Sequence, residues 1–313
     1  MCTAISIRSD SLYFGRTLDI PSDLGDSVVI TPRRFPIPLT HLPVISNHFA
    51  FIGKAKIEKG FPLYFDGFNE KGLSAAALAF RESAKYHPYK DGALNLASFE
   101  LLPFILSSFS SVSEASIALS SLNITDDSFS EELPSSPLHF IVSDCDRSIV
   151  IESTSSGINI YDNPIGVLTN EPPFPIQLSN LLSHPLVKES FRECCPSRPT
   201  LFLSGDIENA VFSGNFSSES RFLRACLEKL SAEPHLTPER AEGTLFTLLS
   251  SVSMLRGYRK SEENEIYRTV YSSASLPSIG IYSLLYEGKA FPSHFHLKGS
   301  LDSDRLIIPP ENI

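Results

Sequence analysis

The residue with the most chemistry open to it is the cysteine in Met1-Cys2-Thr3-Ala4-Ile5. Once Met1 is removed, which the small second residue permits, Cys2 carries a thiol and a free α-amine together. A thiol titrates at roughly 8.5 and an α-amine at roughly 7.7–8.0. Near neutral pH the amine is therefore partly unprotonated and can take the thiol proton, directly or through water. That supplies a nucleophile and a base for amide hydrolysis. Arg16 can favour the thiolate, and Asp19 can orient the amine by accepting its hydrogen bonds. On their own, Arg16 and Asp19 also read as an ordinary ion pair at a strand end.

The elements that must position these residues are legible in part. Cys2 to Ile7 alternates, Arg8-Ser9-Asp10-Ser11 is a polar turn, and Leu12 to Arg16 returns, so the chain opens with a β-hairpin whose first residue is the nucleophile candidate. Ser27 to Thr31 is a short β-branched run. Tyr64 to Phe80 is a second hairpin around Asn69-Glu-Lys-Gly72. Residues 94–109 and 111–122 are expected to be helical, the latter opened by a Ser111…Glu114 capping box. A third hairpin turns at Asp144-Cys-Asp-Arg147, and its sheet continues to Thr169-Asn170. Helical patterns cover 176–183, 218–231 and 237–256, the last with Thr237 as cap and Pro238 at the first position. The chain then returns to strands. Helices and antiparallel strands come in blocks, which points to an α+β layered fold and one domain over residues 1–313.

Composition narrows the function. The 313 residues are 42% apolar and 20% charged, enough for a sizeable core. The net charge is −10 with Lys and Arg scattered, which argues against nucleic-acid and anionic-membrane partners. No apolar run reaches the roughly 18 residues of a membrane span. The five cysteines, Cys2, Cys145, Cys194, Cys195 and Cys226, are odd in number and match no zinc spacing. With no signal-peptide pattern at the start, free thiols and a cytoplasmic location are expected. His294 and His296 lie two apart on a strand, a surface or core placement rather than a metal site. Neither metal nor cofactor is expected.

The ordered stretches "MCTAI", "YFGRTLD", "DGFNEKGLSAAAL", "LHFIVSDCDRSIVIE", "GVLTNEPPF", "ESRFLRA" and "MLRG" change the weight of Cys2. Together they resemble the choloylglycine hydrolase family of bile salt hydrolases and penicillin V acylases, over nearly the whole chain. The resemblance implies an N-terminal nucleophile hydrolase with a four-layer αββα sandwich, two antiparallel sheets between helix layers. It implies Cys2 as nucleophile with Arg16 and Asp19 beside it, Asn170 as a side-chain donor to the oxyanion, Arg221 as the remaining active-site arginine, and the backbone N–H of Ala79 as a second oxyanion donor. It also implies an acyl pocket drawn from Ile20 to Leu24, Phe61 to Phe65 and Leu133 to Phe140, with Ile20, Leu24, Phe61, Phe65 and Leu138 as candidate lining.

Two departures stand out. Bile salt hydrolases carry asparagine where this chain has Ala79, and penicillin V acylases commonly have tyrosine. Leu182 to Phe216, where the family has a loop that helps tetramers assemble, is also divergent, so a homo-tetramer is implied by resemblance alone. The function expected is an amidase acting on a small acyl-amide, with conjugated bile acids first, and penicillin V or N-acyl homoserine lactones as alternatives. A catalytically silent relative that binds an acylated ligand is the alternative of another class. The full set Cys2, Arg16, Asp19, Asn170 and Arg221 favours the enzyme.

Overall fold

The computed structural model describes residues 1–310 apart from 23, 193–194, 205–214, 233–235, 255–258, 261–265 and 300. In chain order the strands are β1 (Cys2–Arg8), β2 (Leu12–Ile20), β3 (Ser27–Thr31), β4 (Phe51–Glu58), β5 (Phe61–Asn69), β6 (Ser74–Ala79), β7 (Leu94–Ala97), β8 (Leu122–Thr125), β9 (Leu138–Ser143), β10 (Ser148–Thr154), β11 (Gly157–Asp162), β12 (Val167–Leu168), β13 (Val187–Arg192), β14 (Cys195–Leu203), β15 (Arg259–Lys260), β16 (Ile266–Leu276), β17 (Ile281–Tyr286) and β18 (Ser293–His296). The helices are α1 (Leu101–Ser108), α2 (Val112–Ala118), α3 (Phe174–Leu182), α4 (Ser218–Ser231) and α5 (Pro238–Ser251).

Two seven-stranded sheets, antiparallel throughout, carry the fold. One runs β12-β1-β2-β16-β17-β18 with β15 on β16; the other runs β11-β10-β9-β6-β5-β4-β3. Their central strands are buried on both faces, whereas the edge strands β11 and β18 are partly exposed. In β6, Ala76 and Leu78 join the cluster that also holds Cys2, Ala4 and Phe14 of the first sheet. Ala75 and Ala77, pointing the other way, join Leu101 and Ile105 of α1 and Val112 of α2. On the far side of the first sheet, α4 packs on β1 and β12, and α5 lies across β2 and β16. The order of layers is helix, sheet, sheet, helix, as expected. Among the described residues, no helix is long and apolar enough to cross a membrane.

Several local expectations need correction. Residues 94–97 are a strand, not the first turn of a helix: Leu94-Asn-Leu-Ala97 pairs in parallel with Leu122-Asn-Ile-Thr125, and Asn123 donates to Asn95 across the pair. Helix α1 begins only after Glu100, whose carboxylate takes the Ala97 and Thr40 N–H groups. Helix α2 is shorter than 111–122 because Leu122 is drawn into that same pair. Its Ser111 cap accepts from the Glu114 N–H as predicted, but Glu114 reaches back to Ser110 rather than Ser111. Helix α5 ends at Ser251. Most of the "MLRG" stretch lies outside the described residues.

The sheet carrying Cys2 closes tightly beside Arg16. A Cβ on Gly15 would lie 2.6 Å from the Ser273 carbonyl of the neighbouring strand and 3.1 Å from Leu249 of α5. Gly15→Ala is therefore expected to destabilise the fold by about 1–3 kcal/mol, read by chemical denaturation, and to lower activity because the shift is passed directly to Arg16.

Candidate active site

Strand register divides the site between two faces. Cys2 pairs with Leu18, Thr3 with Thr17 and Ala4 with Arg16. Side chains alternate along a strand, so Cys2 and Arg16 share the face toward the second sheet. Thr3, Thr17 and Asp19 share the face toward the helices. Arg16 and Asp19, three residues apart, consequently do not form the strand-end ion pair that their types invite. Arg16 is 3.8 Å from Asp66, and Asp19 is 4.0 Å from Arg221.

On the inter-sheet face, the Arg16 guanidinium donates from Nη2 to the Cys2 sulfur at 2.8 Å. Nη1 donates to the carbonyls of Phe65 and Ala77 at 2.9 and 3.0 Å. Those acceptors exist because of a break in the second sheet. The β4–β5 register skips Phe65, a bulge, and the β5–β6 ladder stops at Asp66 and Ala76. The β6 edge from Ala77 to Ala79 is left without a strand partner on that side. Arg16 takes the Ala77 carbonyl, and Asn170 Nδ2 takes that of Ala79 at 2.8 Å. In an antiparallel strand a residue's N–H and carbonyl point to the same side, so the Ala79 N–H also faces this opening.

Arg16 and Asp66 are both fully buried, a costly arrangement unless every charge is compensated. Burial works against the arginine's charge, but Cys2, Tyr271, Asp66 and Tyr282 outweigh it, so Arg16 holds its proton more firmly than usual. Burial also pushes the Asp66 carboxyl up, opposed by Arg16 and by hydrogen bonds from Tyr282 and Ser273. Those hydroxyls donate to Asp66 at 2.5 and 2.9 Å.

On the helix face, Arg221 reaches from the first turn of α4, which Ser217 caps. It donates to the Cys2 carbonyl at 2.6 Å, the Thr3 hydroxyl at 2.7 Å and Asn170 Oδ1 at 2.7 Å. Asp19 accepts from Thr269 at 2.6 Å. Asn170 joins the two faces. Its Oδ1 also accepts from the Cys2 N–H at 2.9 Å, and with donors on Oδ1 and a carbonyl on Nδ2 its amide has one consistent orientation. The backbone behind it is fixed by His139, which donates from Nε2 to the Thr169 carbonyl, contacts Glu152 through Nδ1 and stacks on Phe80. Met1 donates from its amine to the Asp19 carbonyl and accepts from the Asp19 N–H. That amine is pushed down by burial, with Cys2 and Asp19 opposing and Arg221 and Arg81 reinforcing.

The structure thus brings Cys2, Arg16, Asp19, Asn170, Arg221 and Ala79 together. The expected pocket residues are more dispersed. Phe65 contributes its carbonyl to Arg16, and Ile20 ends β2 beside Asp19. Leu24 is 38% exposed. Phe61 packs on Phe99 and Phe129 in the cluster that includes α1, and the partly buried Leu138 packs against that cluster. His294 is at the surface, 3.0 Å from Glu242. Cys194, and the side chain of Cys195, lie outside the described residues. Among the described residues, no group of three His, Cys, Asp or Glu side chains is gathered as metal donors. Sequence pattern alone does not single out Asp66, Thr269, His139 and Glu152. Their signal is a polar residue within an apolar strand, such as Asp66 in "YFDGF", which must find partners when buried.

The sequence model for linear amide C–N hydrolases of the choloylglycine hydrolase family matches residues 2–304. The chain belongs to the choloylglycine hydrolase family. It is accordingly a linear amide C–N hydrolase with the N-terminal nucleophile fold. Within the family it is 38% identical to a bile salt hydrolase/transferase of Lactiplantibacillus plantarum, covering 99% of this chain and 97% of that one. A bile salt hydrolase/transferase of Clostridium perfringens is 32% identical over 98% of this chain and 95% of its own. The solved structure of the C2A mutant of a C. perfringens conjugated bile acid hydrolase superposes with a TM-score of 0.87 at 28% identity, covering 100% and 97% of the two chains. A penicillin V acylase from Agrobacterium tumefaciens shares the fold, with a TM-score of 0.76 at 18% identity over 97% and 90% of the chains.

Removing the Arg16 cation should show directly at the sulfur. Arg16→Leu is expected to slow iodoacetamide alkylation of Cys2 at pH 7 by about tenfold, followed by peptide mapping. Cys226 is the internal control: burial pushes its thiol up, only partly opposed by Lys229, and it should stay unreactive in both proteins.

Proposed function

We propose that Cys2, freed by removal of Met1, is the nucleophile of an amidase that cleaves conjugated bile acids. The observation that carries this reading is the 2.8 Å contact between Arg16 Nη2 and Cys2 Sγ in a site where Asn170 ties the Cys2 N–H to the Ala79 edge. The substrate class rests on the bile salt hydrolases to which this chain is 38% and 32% identical over nearly its full length.

The reaction follows from these groups. The Cys2 amine takes the thiol proton, with Arg16 stabilising the sulfur's negative charge. Sulfur attacks the amide carbon, and the carbonyl oxygen becomes an oxyanion between the Ala79 N–H and the second Nδ2 hydrogen of Asn170. The intermediate collapses: the C–N bond breaks, and the leaving amine takes the proton held by the Cys2 amine. Water then attacks the thioester, giving its proton back through the amine, and releases the acid and the thiol. Asp19 and Arg221 are positioning residues that hold the N-terminal segment and Asn170. Alanine at position 79 removes a side chain but keeps the backbone donor, so hydrolysis is compatible with it.

Residues 1–313 act as one catalytic domain in this reading, the free Cys2 thiol fits a reducing cytoplasm, and assembly into a tetramer is expected from the family. Ile20, Leu24, Phe61, Phe65 and Leu138 remain the candidates for the acyl pocket. A panel of glycine- and taurine-conjugated bile acids, penicillin V and long-chain acyl homoserine lactones tests the substrate class. Bile acid conjugates should give the highest kcat/KM; preference for penicillin V would overturn the assignment, and binding without turnover would favour a silent acyl-ligand binder. On the preferred amide, Asn170→Ala should lower kcat by about 10²- to 10³-fold.

A further inference from the structure

We infer that Arg81 is a specificity residue that binds the acidic group carried by the leaving amine of the substrate. The inference rests on the proposed amidase reading and names the part of the substrate that reading leaves unassigned.

Arg81 stands two residues beyond Ala79, where the unpaired β6 edge leaves the sheet. Phe80 between them is buried, its N–H on the Pro137 carbonyl at 2.9 Å and its ring stacked on His139. With Phe80 fixed inward, Arg81 emerges at the surface. The turn that carries it is held, not loose. The N–H groups of Glu82 and Ser83 and the Ser83 hydroxyl all donate to the carboxylate of Glu171, at 2.9, 3.1 and 2.6 Å. Glu171 directly follows Asn170, so the turn is clamped to the oxyanion side of the site.

The guanidinium sits over the Tyr267 ring, 6.0 Å from its centroid. Tyr267 precedes Arg268 and Thr269, which pair with Ile20 and Asp19 at the end of β2. Arg81 therefore reaches from the end of the Ala79 strand to the start of β16, the strand that pairs with the Asp19 end of β2. Its charge reaches the Met1 amine, one residue from Cys2, and with Arg221 opposes protonation there. Arg221, Arg16 and the neighbouring Arg268 are each committed to a carboxylate: Asp19, Asp66 and Glu287. Arg81 makes no such ion pair among the described residues. The nearby Glu171 is occupied by its three donors, and Glu82 points to solvent as an exposed residue.

A rigidly mounted, unpaired guanidinium at the rim fits a carboxylate or a sulfonate, which its planar fork can bind bidentately. In an amide whose carbon faces Cys2 and whose oxygen faces Ala79, the acidic arm of an amino-acid-type leaving group lies outside the buried site, where the acyl chain has no use for a cation. Amides of glycine or taurine have such an arm; a plain alkyl amide does not.

The test compares a glycine-conjugated bile acid with the ethanolamide of the same acid, which has a neutral leaving amine of similar size. Arg81→Ala should lower the ratio of kcat/KM for glycine conjugate over ethanolamide by roughly fivefold, the scale of a partly exposed ion pair. The effect should lie in KM, weaken in wild type as salt rises, and be only partly restored by Arg81→Lys, which keeps the charge but not the planar fork. Binding of both compounds to Cys2→Ala and to Cys2→Ala/Arg81→Ala, measured by calorimetry, gives the second readout. If the wild type cleaves neither compound but Arg81→Ala still weakens only the anionic one, the amidase reading fails and the Arg81 site stands. An unchanged ratio with unchanged affinities, an equal loss for both compounds, or no binding of either overturns the Arg81 assignment.

Discussion

The structure turns on one buried cation. Arg16 lies between the sheets with its guanidinium on the Cys2 sulfur, and a charge there is tolerable only if its surroundings are built for it. Asp66 balances the charge, and Tyr282 and Ser273 hold Asp66 in turn. The carbonyls of Phe65 and Ala77 take Nη1, and that of Thr17 takes Nε. The Phe65 and Ala77 carbonyls become available because β5 bulges at Phe65 and pairs with β6 only from Asp66 onward. The same gap in the pairing frees the Ala79 edge that Asn170 and, in the proposed reaction, the oxyanion require. A flaw in the sheet thus provides both the seat for the cation and the opening for the substrate.

The second sheet face has a different task. Asp19, Arg221, Thr3 and Thr269 form a polar layer under the first strand that fixes where Cys2 begins and where its N–H points. Asn170 is the one side chain that reports to both layers. The division explains why two arginines are needed. A single cation cannot lie on the sulfur between the sheets and also cap the Cys2 carbonyl from the helix side.

Much of this was legible in the sequence where pattern and chemistry agree. The β1–β2 hairpin followed from alternation around a polar turn. The layered α+β class followed from strands and helices arriving in blocks. The site residues became legible together only through the ordered motifs, because nothing local links Asn170 or Arg221 to Cys2. Three things were not legible. The opposite facing of Arg16 and Asp19 depended on β2 running unbroken to Ile20, beyond the expected end near Arg16. The strand at Leu94–Ala97 depended on a parallel partner 28 residues later, which no local propensity encodes. Asp66 in "YFDGF" could have been noticed as a carboxylate inside an apolar strand, but its partner lies on the other sheet.

The central claim is that Cys2, as the first residue of the working enzyme, forms a thioester with the acyl group. Rapid acid quenching during turnover of a glycine-conjugated bile acid, followed by mass spectrometry of the N-terminal peptide, tests it most directly. The account predicts a peptide that begins at Cys2, lacks Met1 and carries the added mass of the acyl group on sulfur. An active enzyme that retains Met1, or one acylated at another residue with Cys2 unmodified, would contradict it.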